Sequence, residues 1–327
     1  MIKFRTELPA FTFPYKIEHG ERIMLVGSCF TEHMGNYLAD SGFEILQNPH
    51  GILFNPVSVE KAIDDYLENT VYTESDLTPH AGLFHSWHHH SRFSFPKADD
   101  SITEINKSIV GASTFLQKSS WLMLTFGSAF VYHLVENDLP VANCHKFDGK
   151  IFKKKLLNPT QCEVVIERII TKVQAKYPNI KIVLTVSPVR HAREGLIENN
   201  RSKAALIHGV HANADKFENV FYFPSYELVI DDLRDYRFFM EDLIHPNRQA
   251  TEYVWGRFKE SLFSIDTEQL SNKINKLKIS ARHKSFNPNT PEHQAFLKKL
   301  SDEIKMVQKQ HPKIYLDQEL LDKIIEK

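Results

Sequence analysis

The chain has 327 residues, 42% hydrophobic and 25% charged, an ordinary composition for a water-exposed globular protein. A formal net charge of -1 gives no reason to expect nucleic acid or an anionic membrane as partner. Cys29, Cys144 and Cys162 are too few and too far apart for a disulfide framework, the charged start Met1 to Glu7 does not resemble a signal peptide, and no apolar run reaches the roughly 18 residues of a membrane span, so a cytoplasmic protein is expected.

Residues 1–21 read as an irregular lead-in, interrupted by Pro9 and Pro14. Ile23 to Val26 suits an interior parallel strand, Gly27 permits a tight reversal, and a helix follows with Met34, Tyr37 and Leu38 on one face. Phe43 to Leu46 is a second strand, and 48–56 a loop with two prolines and a glycine. Ser58 is expected to cap a helix over Val59 to Leu67. The histidine- and aromatic-rich stretch Ala81 to Phe95 suggests a hairpin or lid, and Asp100 to Gln117 a helix. Trp121 to Phe126 is the third strand, stopped by Gly127, and Val131 to Val135 with Val141 to His145 form an inserted β-hairpin. Helix Pro159 to Tyr177, with Val164, Val165, Ile169 and Val173 inward, strand Lys181 to Val186, helix Arg201 to Phe217 and strand Val220 to Phe223 complete the alternation. Pro246 opens a last core helix that reaches about Phe263.

Alternating strands and helices with short connections predict an α/β fold: a five-stranded parallel sheet, order 2-1-3-4-5, with helices on both faces. From about 265 the composition shifts to Glu, Lys and Gln, with apolar residues at helical spacing: Leu270, Ile274 and Leu277, then Phe296, Leu297, Leu300 and Ile304, then Leu320, Leu321 and Ile324. The predicted organisation is a core over 1–265 and a helical appendage over 266–327, packed on the core or on a second copy of the chain.

Ser28 falls between the first strand and its helix, at the carboxyl edge where open α/β sheets bind ligands. It can serve as a helix cap or as a nucleophile. Asp242 and His245, three residues apart, can project the same way, so that the carboxylate holds one imidazole tautomer and leaves the other nitrogen free. With Ser28 across the sheet edge they would form a nucleophile, a general base and an orienter; otherwise Asp242 is a cap and His245 a surface residue. A serine nucleophile also needs donors for an oxyanion. The candidates are the backbone N–H groups of Ser28, Gly51 and Gly127 and the side-chain amide of Asn143. Arg190 and His191, after the fourth strand, can bind an anionic or sugar hydroxyl group or pair with carboxylates such as Glu227; Asn55 is the other candidate for substrate binding. Arg234, Asp235, Tyr236 and Arg237 read as a network that positions the His245 loop, and Cys29 as an inward-packed residue. The cluster His85-Ser-Trp-His-His-His90 invites a zinc reading, but no Cys pair or His-Glu-x-x-His pattern accompanies it. A lid or a solvated hairpin is the expectation, with no metal or cofactor.

Gly27-Ser-Cys-Phe30 resembles the signature of the GSCFA-domain family, a branch of the SGNH/GDSL hydrolase-like superfamily. Supporting blocks are Asn48-Pro-x-Gly-Ile-x-Phe-Asn-Pro56, Val141-Ala-Asn-Cys-His-Lys146, Thr185-Val-Ser-Pro-Val-Arg-His191, Phe223-Pro-Ser-Tyr-Glu227, Leu233-Arg-Asp-Tyr-Arg-Phe238 and Asp242-Leu-Ile-His-Pro246. The resemblance implies a flavodoxin-like three-layer fold, ester-hydrolase ancestry, Ser28 as nucleophile, Asp242 and His245 as its partners, and Gly51 as the second-block glycine. The superfamily's third block is usually Gly-x-Asn, whereas Gly127-Ser-Ala129 carries alanine where the oxyanion asparagine is expected. The resulting expectation is a serine esterase acting on a small acyl ester, such as acetyl on a carbohydrate. The rivals are an acyltransferase, a non-catalytic binding protein with the same cleft, and a metal-dependent hydrolase.

Overall fold

A computed structural model describes residues 5–282, 287 and 289–316. In chain order the first elements are β1 (Arg22–Gly27), α1 (Cys29–Asp40), β2 (Glu44–Gln47), α2 (Pro56–Glu68), β3 (Thr78–His80), β4 (Leu83–His85) and α3 (Ala98–Gln117). Then come β5 (Trp121–Phe126), β6 (Phe130–Leu134), β7 (Pro140–Val141), β8 (Phe152–Leu156), α4 (Pro159–Lys176), β9 (Lys181–Val186), α5 (Leu196–Lys216) and β10 (Val220–Tyr222). The short turn α6 (Ser225–Glu227) runs into a π-turn at Leu228–Leu233, followed by α7 (Arg248–Leu262), α8 (Ile265–Arg282) and α9 (Pro291–Gln310).

The main sheet has the order β10-β9-β5-β1-β2, which is the expected 2-1-3-4-5 once the inserted strands are set aside. β1 runs parallel to β5, with Gly27 opposite Thr125, and β5 parallel to β9, with Phe126 opposite Val186. Strands buried on both faces need unbroken apolar runs, and β5 is buried at every position. One face of the sheet packs against α2, α3, α4 and α5 through Ile63, Tyr66, Leu116, Ile166, Ile170 and Leu206.

Several local expectations change. Helix α2 starts at Pro56 and is capped by Asn55, whose Oδ1 accepts from Ser58 N at 2.9 Å, because Pro56 at the first position leaves the cap one residue earlier than Ser58. Helix α7 starts at Arg248 rather than Pro246; Asn247 Oδ1 takes the Ala250 N–H. Val164 of α4 faces solvent, and Cys162, Ile166 and Ile170 take the inward stripe with Val165, Ile169 and Val173. The inserted hairpin is a three-stranded sheet, β7-β6-β8, in which lysine-rich β8 supplies the long partner of β6. Val141 to His145 pairs only through β7, since His145 and Lys146 take positive φ and turn the chain away.

Two compact units are present: Met1–Pro9, Ile23–His33 and Leu46–Val254, and separately Ala10–Arg22, Met34–Ile45 and Trp255–Lys327. The second unit takes in segments well before the expected boundary at 265. Inside it, Trp255 stacks on Tyr37 at 5.5 Å, Lys278 Nζ donates to Ala39 O at 2.6 Å, and Arg282 pairs with Asp40 at 2.7 Å. Helices α8 and α9 share the apolar group Ile274, Leu277, Leu300, Ile304 and Val307. Leu320, Leu321 and Ile324 lie outside the described residues. Among the described residues no helix is long and apolar enough to cross a membrane.

Candidate active site

The site starts where β1 ends. Gly27 has φ +149, and a Cβ there would stand 2.1 Å from Thr125 O, so only glycine lets the chain pass β5 this closely. Ser28 follows at the first turn of α1, 1% exposed. Its N–H donates to Thr125 O at 3.1 Å and its carbonyl accepts from Thr31 N at 2.9 Å. The hydroxyl oxygen is buried with no hydrogen-bond partner among the described residues. Ser28 is therefore not a side-chain cap of α1, since a cap hydroxyl accepts a backbone N–H. Such orphaned buried polar atoms are rare and call for an explanation.

Asp242 and His245 lie on a loop closed at its base. The backbone of Phe239 bridges Pro246, Met240 N donates to His245 O at 2.8 Å, and Asn247 Nδ2 donates to Arg237 O at 2.7 Å. Leu243 takes φ +58 at the loop tip. Asp242 Oδ1 accepts from His245 N at 3.0 Å and Ile244 N at 2.9 Å, while Oδ2 meets His245 Nδ1 at 2.6 Å. The His245 backbone and ring N–H groups, with Ile244 N–H, hold the carboxyl down at about 2, so it stays ionised at neutral pH. A carboxylate at Nδ1 favours the tautomer with the proton on that nitrogen, which leaves Nε2 outside this pair. Both side chains are exposed, and His245 makes no hydrogen bond to Ser28.

The family profile described as the GSCFA family matches residues 22–258. The chain belongs to the GSCFA family. A second profile, the C-terminal domain of GSCFA domain proteins, matches residues 274–323. No curated protein matches the chain. Among solved structures, the chain is similar to a family 3 carbohydrate esterase from Clostridium thermocellum, at 12% identity and a TM-score of 0.37, over 77% of this chain and 98% of that one. A family 3 carbohydrate esterase from Talaromyces cellulolyticus stands at 9% identity and a TM-score of 0.36, over 78% and 99%. An acetyl xylan esterase from the rumen bacterium Butyrivibrio proteoclasticus stands at 10% and 0.38, over 82% and 66%.

In this GSCFA chain the nominated oxyanion donors all have other partners. The Ser28 N–H is held by Thr125 O, the Gly51 N–H donates to Asn48 O at 2.8 Å, and the Gly127 N–H donates to Phe54 O at 2.8 Å. Asn143 Nδ2 donates to Ser91 Oγ at 3.3 Å, and its Oδ1 accepts from His145 N at 2.9 Å. The physical reason is local closure: the turns after β1, β2 and β5 satisfy one another's backbone groups. Gly127 is nonetheless against Ser28, since a Cβ there would stand 3.2 Å from Ser28 Cβ. Ala129, where the family pattern led us to expect asparagine, is fully buried in the apolar core, its N–H taken by Ser202 Oγ at 2.7 Å.

Of the substrate-binding candidates, Asn55 is the buried cap of α2. Arg190 is half-buried just past β9 and has no ion-pair partner among the described residues; Glu227 is instead bonded by Tyr222 OH at 2.7 Å. His191 stands edge-on to Phe54 at 6.1 Å, and burial lowers its pKa. Burial raises the Cys29 thiol, which makes it a poor nucleophile.

The histidine-rich segment folds inward. His50 Nε2 pairs with Asp65 Oδ2 at 3.0 Å and stacks on His89 at 4.0 Å. Burial works to raise the Asp65 carboxyl, but His50 and Lys61 hold it at about 2. His145 Nε2 donates to Ser86 O at 2.7 Å, which ties the inserted sheet to this segment. No group of three or more His, Cys, Asp or Glu among the described residues is arranged to hold a metal ion.

Sequence reasoning missed two residues. Asn48, at φ +46, accepts from Gly27 N at 2.9 Å, and its Nδ2 is buried without a partner among the described residues. Lys203 is buried in α5 and donates to Gly127 O and Ser187 O, both at 2.6 Å. The signal for Lys203 was present: with Asn199, Ser202, Leu206 and Val210 it falls on the buried stripe of α5, where a lysine is out of place.

Proposed function

We propose that the protein is a serine hydrolase acting on a small acyl ester, with Ser28 as nucleophile, His245 as general base and acid, and Asp242 as the orienting carboxylate. The orphaned hydroxyl of Ser28 carries this reading: it lies at the carboxyl edge of the sheet, at the start of α1, with no structural bond to make. The Asp242–His245 pair supplies a base of fixed tautomer.

In this reading substrate entry brings His245 Nε2 onto Ser28 Oγ; catalytic hydrogen bonds of this kind commonly tighten only in the substrate complex. Oγ attacks the acyl carbon, its proton passes to Nε2, and the carbonyl electron pair moves to oxygen. Collapse expels the alcohol, which takes the proton back from His245, and water then repeats the sequence on the acyl-enzyme. Arg190 and His191 face the alcohol half, assigned to a carbohydrate-like hydroxyl compound. An acceptor alcohol in place of water would make the same chemistry acyl transfer.

The committed N–H groups of Ser28, Gly51 and Gly127 favour a second reading, a non-catalytic ligand-binding protein that keeps the fold. A fluorophosphonate probe separates the two. The expected result is one label per chain, mapped to Ser28 and absent in Ser28→Ala, together with loss of p-nitrophenyl acetate turnover. Undiminished turnover in Ser28→Ala would remove the nucleophile assignment, and failure of the wild type to label would favour the binding protein.

A further inference from the structure

Lys203 is 1% exposed, and no carboxylate partners it among the described residues. Its hydrogen bonds among the described residues run to the carbonyls of Gly127 and Ser187, the residues just past the carboxyl ends of β5 and β9. An isolated ammonium is costly to bury, so a structure that keeps one at this place sacrifices stability for it. The Gly127 end is also the side of the site that touches Ser28. There the N–H groups of Gly127 and Ser128 both point into Phe54 O, at 2.8 and 2.9 Å, and Lys203 holds the Gly127 carbonyl from the opposite side. The peptide against the nucleophile is thus fixed at both of its polar ends. Arg190, a second cation with no ion-pair partner among the described residues, follows Ser187 by three residues.

We propose that Lys203 is a positioning residue for the Ser28 reaction: it locks the Gly127 peptide against Ser28 and keeps an unneutralised positive charge at the strand ends where the acyl oxygen becomes negative. This rests on the ester-hydrolase reading. It also gives that reading what the committed N–H groups lack, a preorganised charge that needs no reorganisation during the reaction. The groups facing Lys203 are the Cys29 thiol from α1, the Arg190 guanidinium and His191 imidazole past β9, and the Tyr226 ring at 6.0 Å from α6. None is an acid ionised at neutral pH, as Cys29 is itself pushed up by burial. Burial draws the Lys203 ammonium down to about 7, while the two carbonyl dipoles at 2.6 Å oppose that movement.

The test compares the full-length wild type with Lys203→Gln and Lys203→Met by fluorophosphonate labelling and p-nitrophenyl acetate kinetics across the neutral and alkaline range. Gln keeps N–H donors without the charge. Labelling is expected to stay at one per chain, while the labelling rate and kcat fall by about 10²-fold with KM little changed. The wild-type kcat should decline on an alkaline limb at or above pH of about 7, and that limb should vanish in Lys203→Gln. A wild-type rate in Lys203→Gln, or an unchanged alkaline limb, overturns the proposal. Should both variants fail to fold, Lys203→Ala serves with a small amine in its cavity: propylammonium, but not 1-propanol, should restore the labelling rate. Equal rescue by the two, or none, overturns the proposal. An unlabelled Ser28 in the wild type instead defeats the hydrolase reading on which the proposal stands.

Discussion

At Ser28 the hydroxyl is enclosed, yet it neither caps α1 nor meets His245. Most enclosed serines bond a backbone group, as Ser225 does with Val186 O at 2.8 Å and Ser202 does with Ala129 N. Within one sheet edge, Ser225 and Ser202 are bonded while the Ser28 hydroxyl has no partner among the described residues. Asp242 has the complementary arrangement, three hydrogen bonds on one carboxylate, two of them from His245 and one from Ile244 N. Asp242→Asn keeps the shape but can present an amide N–H to Nδ1, which favours the wrong imidazole tautomer. Turnover is expected to fall by about 10²–10⁴-fold with circular dichroism unchanged. Full activity in Asp242→Asn would reduce the carboxylate to a loop cap. The Asp-x-x-His spacing was readable in the sequence because both residues lie within one turn of chain. The missing Ser28–His245 bond and the occupied N–H groups were not, because they depend on the exact closure of three separate turns.

Among the elements, turns depend on glycines of two kinds. Gly27 and Gly51 have positive φ, and a Cβ would stand 2.1 Å from Thr125 O at one and from His90 Cβ at the other. Gly82 has φ +76 with open space around it. Gly82→Ala should therefore cost about 1 kcal/mol of backbone strain alone. Gly27→Ala and Gly51→Ala add a steric clash and should cost more than about 2 kcal/mol each. Urea unfolding of the three variants checks the ranking; equal losses at all three sites would mean that the clashes relax freely. The strands of the main sheet were legible because each is a short apolar run ending at a turn residue. The third strand of the inserted sheet was not, because Phe152–Leu156 is Phe-Lys-Lys-Lys-Leu, a run with no alternation that pairs by backbone bonds along the exposed side of β6.

For the molecule as a whole, buried neutral histidines set the acid limit. Burial holds His88 and His145 down at about 4, and also lowers His50 and His89. In the unfolded chain each titrates near its ordinary value of about 6.5. Between about 6.5 and 4 the unfolded state therefore binds more protons, and stability falls as pH falls. His88 and His145 each contribute a slope of about 1.4 kcal/mol per pH unit in that window and none above it, and His50 and His89 act in the same direction. Denaturant midpoints measured through this range should drop steeply below pH of about 6.5; a flat profile would place these rings in solvent. Of the two expectations for the C-terminal helices, packing on the core or on a second copy of the chain, the second is checked by light scattering, where a monomer mass removes it.

The sequence by itself determined the order of strands in the main sheet, the family, and the candidacy of Ser28, Asp242 and His245, because apolar period, turn chemistry and short spacing are local properties. Tertiary structure decided the bonding of each polar group at the sheet edge: which N–H groups are committed, which hydroxyl is left without a partner, and where Lys203 points. Those outcomes follow from backbone closure between β1, β2, β5 and β9, whose ends lie far apart in the chain and meet only in the folded sheet.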